Sequence, residues 1–118
     1  HVSMGGTTHA AAALLAEELV AVAPPGLTRV HFSDDGSTAV EVAVKTCVQF
    51  WQQSGRPERT RFLALAGAYH GDTVGAVSLG GLASFRSTYG AVLFDVLLRR
   101  RSKLLEDLPG LQQFNSLL

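Results

Sequence analysis

Nothing in the sequence narrows the fold as far as residues 29–51, RVHFSDDGSTAVEVAVKTCVQFW, where a short apolar run breaks off at an acidic, glycine-containing turn and restarts at once with helical periodicity. Ahead of the break, residues 27–32 (LTRVHF) set Leu27, Arg29 and His31 against Thr28, Val30 and Phe32, with the β-branched members on the second set. That alternation predicts a strand running into Ser33. Behind the break, Val40, Ala43, Val44, Cys47 and Trp51 recur as one apolar stripe, while Glu41, Lys45, Gln49 and Gln52 line the opposite side. The spacing predicts an amphipathic helix, with Cys47 and Trp51 in the core and Glu41 paired to Lys45 at i and i+4.

The flanking segments extend the pattern. SGRPERT reads as a loop, RFLALAG as a short strand covered on both faces, and AYHGDTVGAVSLGG as a glycine-punctuated loop with a helical turn. Strand, helix and strand in this order make a βαβ unit, so the predicted fold class is α/β with a mainly parallel sheet flanked by helices. Upstream, TTHAAAALLAEELVAVAPPG places Ala11, Leu15, Leu19 and Val22 on one helical face and Glu17 and Glu18 on another. Thr8 is the expected cap and Pro24-Pro25-Gly26 the stop.

Composition fits this class and removes others. An apolar fraction of 47% with 17% charged residues suits a globular α/β domain, and 118 residues suit a single one. Ten basic residues against ten acidic ones leave no net field to draw nucleic acid or anionic lipid. The lone cysteine, Cys47, has no internal disulfide partner, and no apolar stretch approaches the ~20 residues that span a bilayer. A reducing cytoplasm is the expected compartment. The chain opens at His1 with no initiator methionine or signal-peptide pattern, so it is expected to be a portion of a longer protein.

The acidic turn is the candidate site. Helix N-termini carry unpaired N–H groups and a partial positive charge, and in open α/β sheets ligands bind where strands give way to helices. At SDDGST, Gly36 allows close backbone approach, and Ser37 and Thr38 add hydroxyls beside the first free amides. A phosphate suits such a mouth provided that Asp34 and Asp35 point away from it. Ordinary capping explains the same residues, with Thr38 and Glu41 fitting a capping box. Neither GxGxxG nor GxxxxGK[ST] is present, so the local pattern leaves both readings open.

Taken in order, HVSMGGTTHAAAALLAEELV, HFSDDGSTAVEVAVK, QFW, RFLAL and AYHGDTVGAVSLGG resemble the class III aminotransferases that use pyridoxal 5'-phosphate (PLP), over residues 1–98. The resemblance is strongest to the biotin-pathway branch of that class, in which S-adenosylmethionine gives its amino group to 8-amino-7-oxononanoate. It implies part of the PLP-binding large domain of fold type I, from a homodimeric parent that uses neither nucleic acid nor membrane. By the same resemblance Gly36, Ser37 and Thr38 match the turn that holds the cofactor phosphate, and Tyr69 matches the aromatic that stacks on the pyridine ring. His70 and Gly71 fall in the adjoining loop, and Gly5, Gly6 and His9 resemble a segment near the dimer interface. For Asp72 a turn or capping role is expected.

The same resemblance implies that catalysis needs residues from elsewhere. The Schiff-base lysine, the acid facing the pyridine nitrogen and the substrate-gripping residues of relatives lie outside the matched positions. The two lysines here, Lys45 and Lys103, match no such role, so the chain alone is expected to be inactive. Residues 99–118 form a divergent tail to which no role is assigned. Its RRRSK run reads as a solvated face, and Leu104, Leu105 and Leu108 could share one helix face before Pro109-Gly110. Other readings are a class III enzyme for ω-amino acids or amines, and a non-catalytic α/β module that binds a phosphorylated ligand or a protein.

Overall fold

A computed structural model describes residues 5–100, which fall into two compact units divided between Phe32 and Ser33. In the first, α1 spans Ala10–Val22. Its run of alanines and leucines is among the best helix-forming compositions. The cap is His9, whose Nδ1 accepts from the Ala12 N–H at 3.2 Å, so the expected capping role moves from Thr8 to its neighbour. The predicted stripe is helical but not buried, since Leu15, Leu19 and Val22 keep 47%, 41% and 81% of their surface exposed. Beyond Pro24 the Leu27 N–H closes a turn on the Pro24 carbonyl at 3.2 Å. Residues 27–32 then run on without helix or strand, which corrects the first expected strand. An alternating sequence becomes a strand only when another segment takes its N–H and C=O groups, and none among the described residues does.

The second unit opens on α2, Gly36–Gln53, with Asp35 as N-cap. The capping box is formed by Asp35 and Thr38, not by Thr38 and Glu41. Ser37, Glu41, Val44, Val48 and Trp51, spaced at helical intervals, are half-buried, whereas Cys47 is exposed. The packed face is therefore rotated from the predicted stripe, and Cys47 leaves the expected core. The rotation follows from Glu41, whose carboxylate accepts the Gly75 N–H at 2.7 Å instead of meeting Lys45. Trp51 stays at the edge of the core, with the Arg59 guanidinium over its ring at 4.3 Å.

Two parallel strands follow, β1 at Phe62–Leu65 and β2 at Val96–Arg99, in register from Phe62↔Val96 to Leu65↔Arg99. Parallel neighbours need a crossover, and α3 (Val74–Leu79) and α4 (Ala83–Tyr89) supply it. The βαβ unit thus lies one element later than expected. Phe62 packs inward on Phe94 at 5.7 Å between ring centroids, but Leu63, Leu65 and Leu97 remain 40–45% exposed, so β1 is covered on one face and not on both.

The core sits on α3. Gly75, Ala76, Val77 and Ser78 are its buried residues. Ser78 is fully buried; its hydroxyl donates to the Val74 carbonyl at 2.7 Å and accepts from the Phe94 N–H at 3.1 Å. Arg86 donates to the Ser78 carbonyl at 2.8 Å, which fastens α4 to the same point. Behind α3, Gly81 donates to the Ala68 carbonyl at 2.8 Å and lies against the end of β1, where a Cβ would meet Ala66 Cα at 2.7 Å. Of the tail readings, those on Lys103, Leu104, Leu105, Leu108 and Pro109-Gly110 lie outside the described residues. Among the described residues no helix is long and apolar enough to cross a membrane, and no cluster of His, Cys, Asp or Glu could hold a metal ion.

Candidate functional site

The mouth of α2 is a small donor cluster that already holds an anion. Asp35 Oδ1 accepts from the Thr38 N–H at 2.8 Å, from the Ser37 hydroxyl at 2.9 Å and from the Thr38 hydroxyl at 3.2 Å. The Thr38 Oγ1 also takes the Asp35 N–H at 3.0 Å and the Ser33 hydroxyl at 2.7 Å. Asp35 therefore does not point away, as expected for it, but faces the helix end. The Thr38 N–H, then the Ser37 hydroxyl, hold its carboxyl below the ordinary aspartate range. Gly36 and Ser37, the first two helical residues, have no intrahelical acceptor for their N–H groups. The same donors suit any oxyanion that displaces the carboxylate.

The second predicted cluster follows β1. The chain leaves Ala68, passes Tyr69, His70 and Gly71, and enters α3 at its cap Thr73, whose Oγ1 accepts from the Ala76 N–H at 3.4 Å. Capping thus falls to Thr73 and not to Asp72, which instead faces the Tyr69 phenol. As hydrogen-bond acceptor, and with partial desolvation, Asp72 holds the Tyr69 proton above the usual phenol range. Tyr69 keeps 58% of its surface exposed and leans on Phe85 at 6.1 Å between ring centroids, which leaves the ring open to a partner. A cavity of about 10 Å³ lies beneath, bounded by Tyr69, His70, Gly71, Val77 and Phe85. It has room for one water at most.

The two clusters meet at Gly71. Its φ of +117° favours glycine, and a Cβ there would overlap the Ser37 side chain and stand 3.0 Å from Ser37 Cα. The 69–71 loop therefore lies directly on the 36–38 turn. His70 is exposed beside this contact, Gly36 and Ser37 are at the mouth, and the Thr38 hydroxyl is tied into the cap. That Asp35 is the anion in the mouth was not expected, although an Asp just ahead of a helical run is itself an N-cap signal. Glu41 as the link to α3 carries no local sequence signal.

Comparison with known proteins bears on the family and the fold. A profile of the family described as Aminotransferase class-III matches residues 1–104. The adenosylmethionine-8-amino-7-oxononanoate aminotransferase of Geobacter sulfurreducens is 48% identical over 97 residues, covering 82% of this chain and 21% of that protein. Its counterpart from Nitratidesulfovibrio vulgaris is 55% identical over 83 residues, covering 69% of this chain and 15% of that one. The crystal structure of the Methanocaldococcus jannaschii enzyme of the same name superposes with a TM-score of 0.81 at 38% identity, covering 85% of this chain and 23% of that one. This chain thus spans about a fifth of the length of these relatives. By the profile match over most of its residues and by this fold agreement, the chain belongs to the class III aminotransferase family.

Proposed function

We propose that this chain is the part of a class III aminotransferase large domain that grips the cofactor, PLP, with Gly36, Ser37 and Thr38 taking its phosphate and Tyr69 covering its ring. His70 and Gly71 complete the adjoining loop. Residues 1–98 are assigned to this domain and 99–118 carry no role. The observation that carries the reading is the seat of Gly71 on Ser37, which joins an anion-binding helix mouth to an exposed aromatic ring. The donor set suits a phosphate because its N–H and hydroxyl groups already converge on one anionic oxygen, Asp35 Oδ1. A phosphate entering the mouth displaces Asp35 or shares its donors.

Bound PLP supplies an electron sink for a carbanion formed beside the amino nitrogen. The residues of this chain would orient that group and donate hydrogen bonds to its phosphate. None is assigned to proton transfer or covalent attachment. Lys45 is exposed on α2 and Lys103 lies outside the described residues, so the chain alone is expected not to transaminate. For the whole enzyme we propose amino transfer from S-adenosylmethionine to 8-amino-7-oxononanoate in biotin biosynthesis, by a cytoplasmic homodimer. An amine transaminase from an uncultivated Pseudomonas species, solved with PLP bound, is also 38% identical, but its TM-score of 0.72 is below the 0.81 of the M. jannaschii structure. What supports the biotin-pathway substrates is the 48% and 55% identity to relatives that bear that enzyme's name.

Equilibrium dialysis against PLP tests the cofactor assignment. Wild-type chain is expected to bind and inorganic phosphate to compete. A charge-assisted hydrogen bond contributes about 1.5–3 kcal/mol, so Ser37→Ala is expected to weaken binding about tenfold or more. Tyr69→Ala is expected to weaken it roughly threefold to tenfold through lost stacking. Affinity unchanged in both variants contradicts the assignment.

A further inference from the structure

We propose that Glu41 is the positioning residue of this site: by holding the first turn of α3 it fixes the 69–71 loop on the 36–38 turn. The proposal rests on the cofactor reading above. Glu41 Oε1 accepts the Gly75 N–H at 2.7 Å across 34 residues of sequence. Gly75 is buried, and a Cβ on it would stand 2.6 Å from Oε1, so any larger residue there makes the carboxylate move from its present seat.

The spacing makes the contact more than a local cap. Ser37 and Glu41 lie four apart on α2, one above the other on the half-buried face. Their partners, Gly71 and Gly75, are also four apart. One rigid stretch of helix therefore grips the loop at Gly71 and the start of α3 at Gly75. At its other end the loop is held by the Gly81 N–H on the Ala68 carbonyl at 2.8 Å. Tyr69 sits between these restraints, and Glu41 is the one whose side chain can be removed without touching the 36–38 turn itself. The Thr73 cap on the same turn is longer, at 3.4 Å, and does not reach α2.

The test uses the full 118-residue chain and three variants. Glu41→Gln keeps an acceptor of the same length. Glu41→Ala removes it. Gly75→Ala displaces the carboxylate while improving helix propensity, so it carries the test if Glu41→Ala fails to fold. Without any cofactor, the nuclear Overhauser contact between Gly71 Hα and Ser37 Hβ is expected in wild type and Glu41→Gln, and lost in Glu41→Ala and Gly75→Ala. PLP affinity is expected to fall about tenfold in the latter two, as for a lost charged hydrogen bond. Glu41→Gln stays near wild type, and affinity for inorganic phosphate, which needs only the helix mouth, stays unchanged throughout. Persistence of the Gly71–Ser37 contact in both disrupting variants overturns the proposal, as does a parallel fall in phosphate affinity. A wild type that binds neither PLP nor phosphate defeats the cofactor reading alone, and the cofactor-free contact still decides whether Glu41 fixes the loop.

Discussion

The helices α1 and α3 exist for opposite reasons. The thirteen residues of α1 are mostly alanine, leucine and glutamate, and none is buried. The six of α3, VGAVSL, include two valines, a glycine and a serine, and four are buried. Six residues of that composition are too few to hold a helix in water. What holds α3 is tertiary: Glu41 at its first turn, the Ser78 hydroxyl on Phe94, and Gly81 against the end of β1. Helical periodicity therefore reports composition in one case and conceals packing in the other, and the candidate site is built on the helix that packing makes.

This contrast can be broken by substitution. Gly81→Ala drives a methyl into the β1 end, where Ala66 Cα would be 2.7 Å away. Overpacking backbone against backbone is expected to cost about 3 kcal/mol, read as a lower urea midpoint. Ser78→Ala strands the part-buried Phe94 N–H, and an unsatisfied donor of this kind costs about 1–2 kcal/mol in the same measurement. In α1 the effects should be smaller and of another kind. Ala13→Gly is expected to lower helix stability by about 1 kcal/mol through propensity alone, seen as lost ellipticity. Leu15→Ala, at a position 47% exposed, should change stability by under about 0.5 kcal/mol. A large loss from Leu15→Ala would dissolve the distinction between the two helices.

The smallest expected effect is a pH dependence at the α2 mouth. The folded state holds the Asp35 carboxyl below its unfolded value of 3.8. Its contribution is therefore fully present above that value and is lost as pH falls through the lower folded pKa. Wild-type α2 is expected to fray at its N-terminus in that acid range. Asp35→Asn retains a cap and removes the titration, so its amide spectrum at residues 36–38 should be insensitive to acid over the same range.

How much of this was legible depended on the range of each interaction. The bodies of α1 and α2 were readable because helix periodicity and the proline stop are local. The run at 61–67 was readable as a strand, though its paired part is only Phe62–Leu65. Residues 27–32 were expected to be a strand and are not, while 96–99 are a strand that no expectation covered, because alternation or an apolar run specifies only readiness to pair. The partner decides, and it is distant in sequence: β2 pairs with β1 across the whole α3–α4 crossover. The same holds at the site. The residues of the 36–38 turn were legible from helix-start chemistry, and Tyr69, His70 and Gly71 only through family resemblance. That Gly71 rests on Ser37, and that Glu41 prefers Gly75 to Lys45, requires the fold. Charge pattern suggested the nearer partner, and a buried N–H won because leaving it unpaired costs more than an exposed ion pair contributes.

A nuclear magnetic resonance titration with PLP examines the joined site directly. The amides of Gly36 and Ser37 and the ring protons of Tyr69 are expected to shift together, with one dissociation constant, and to return when inorganic phosphate is added in excess. Shifts confined to one of the two clusters, or two clusters that saturate at different concentrations, would mean that the helix mouth and the tyrosine do not serve the same ligand.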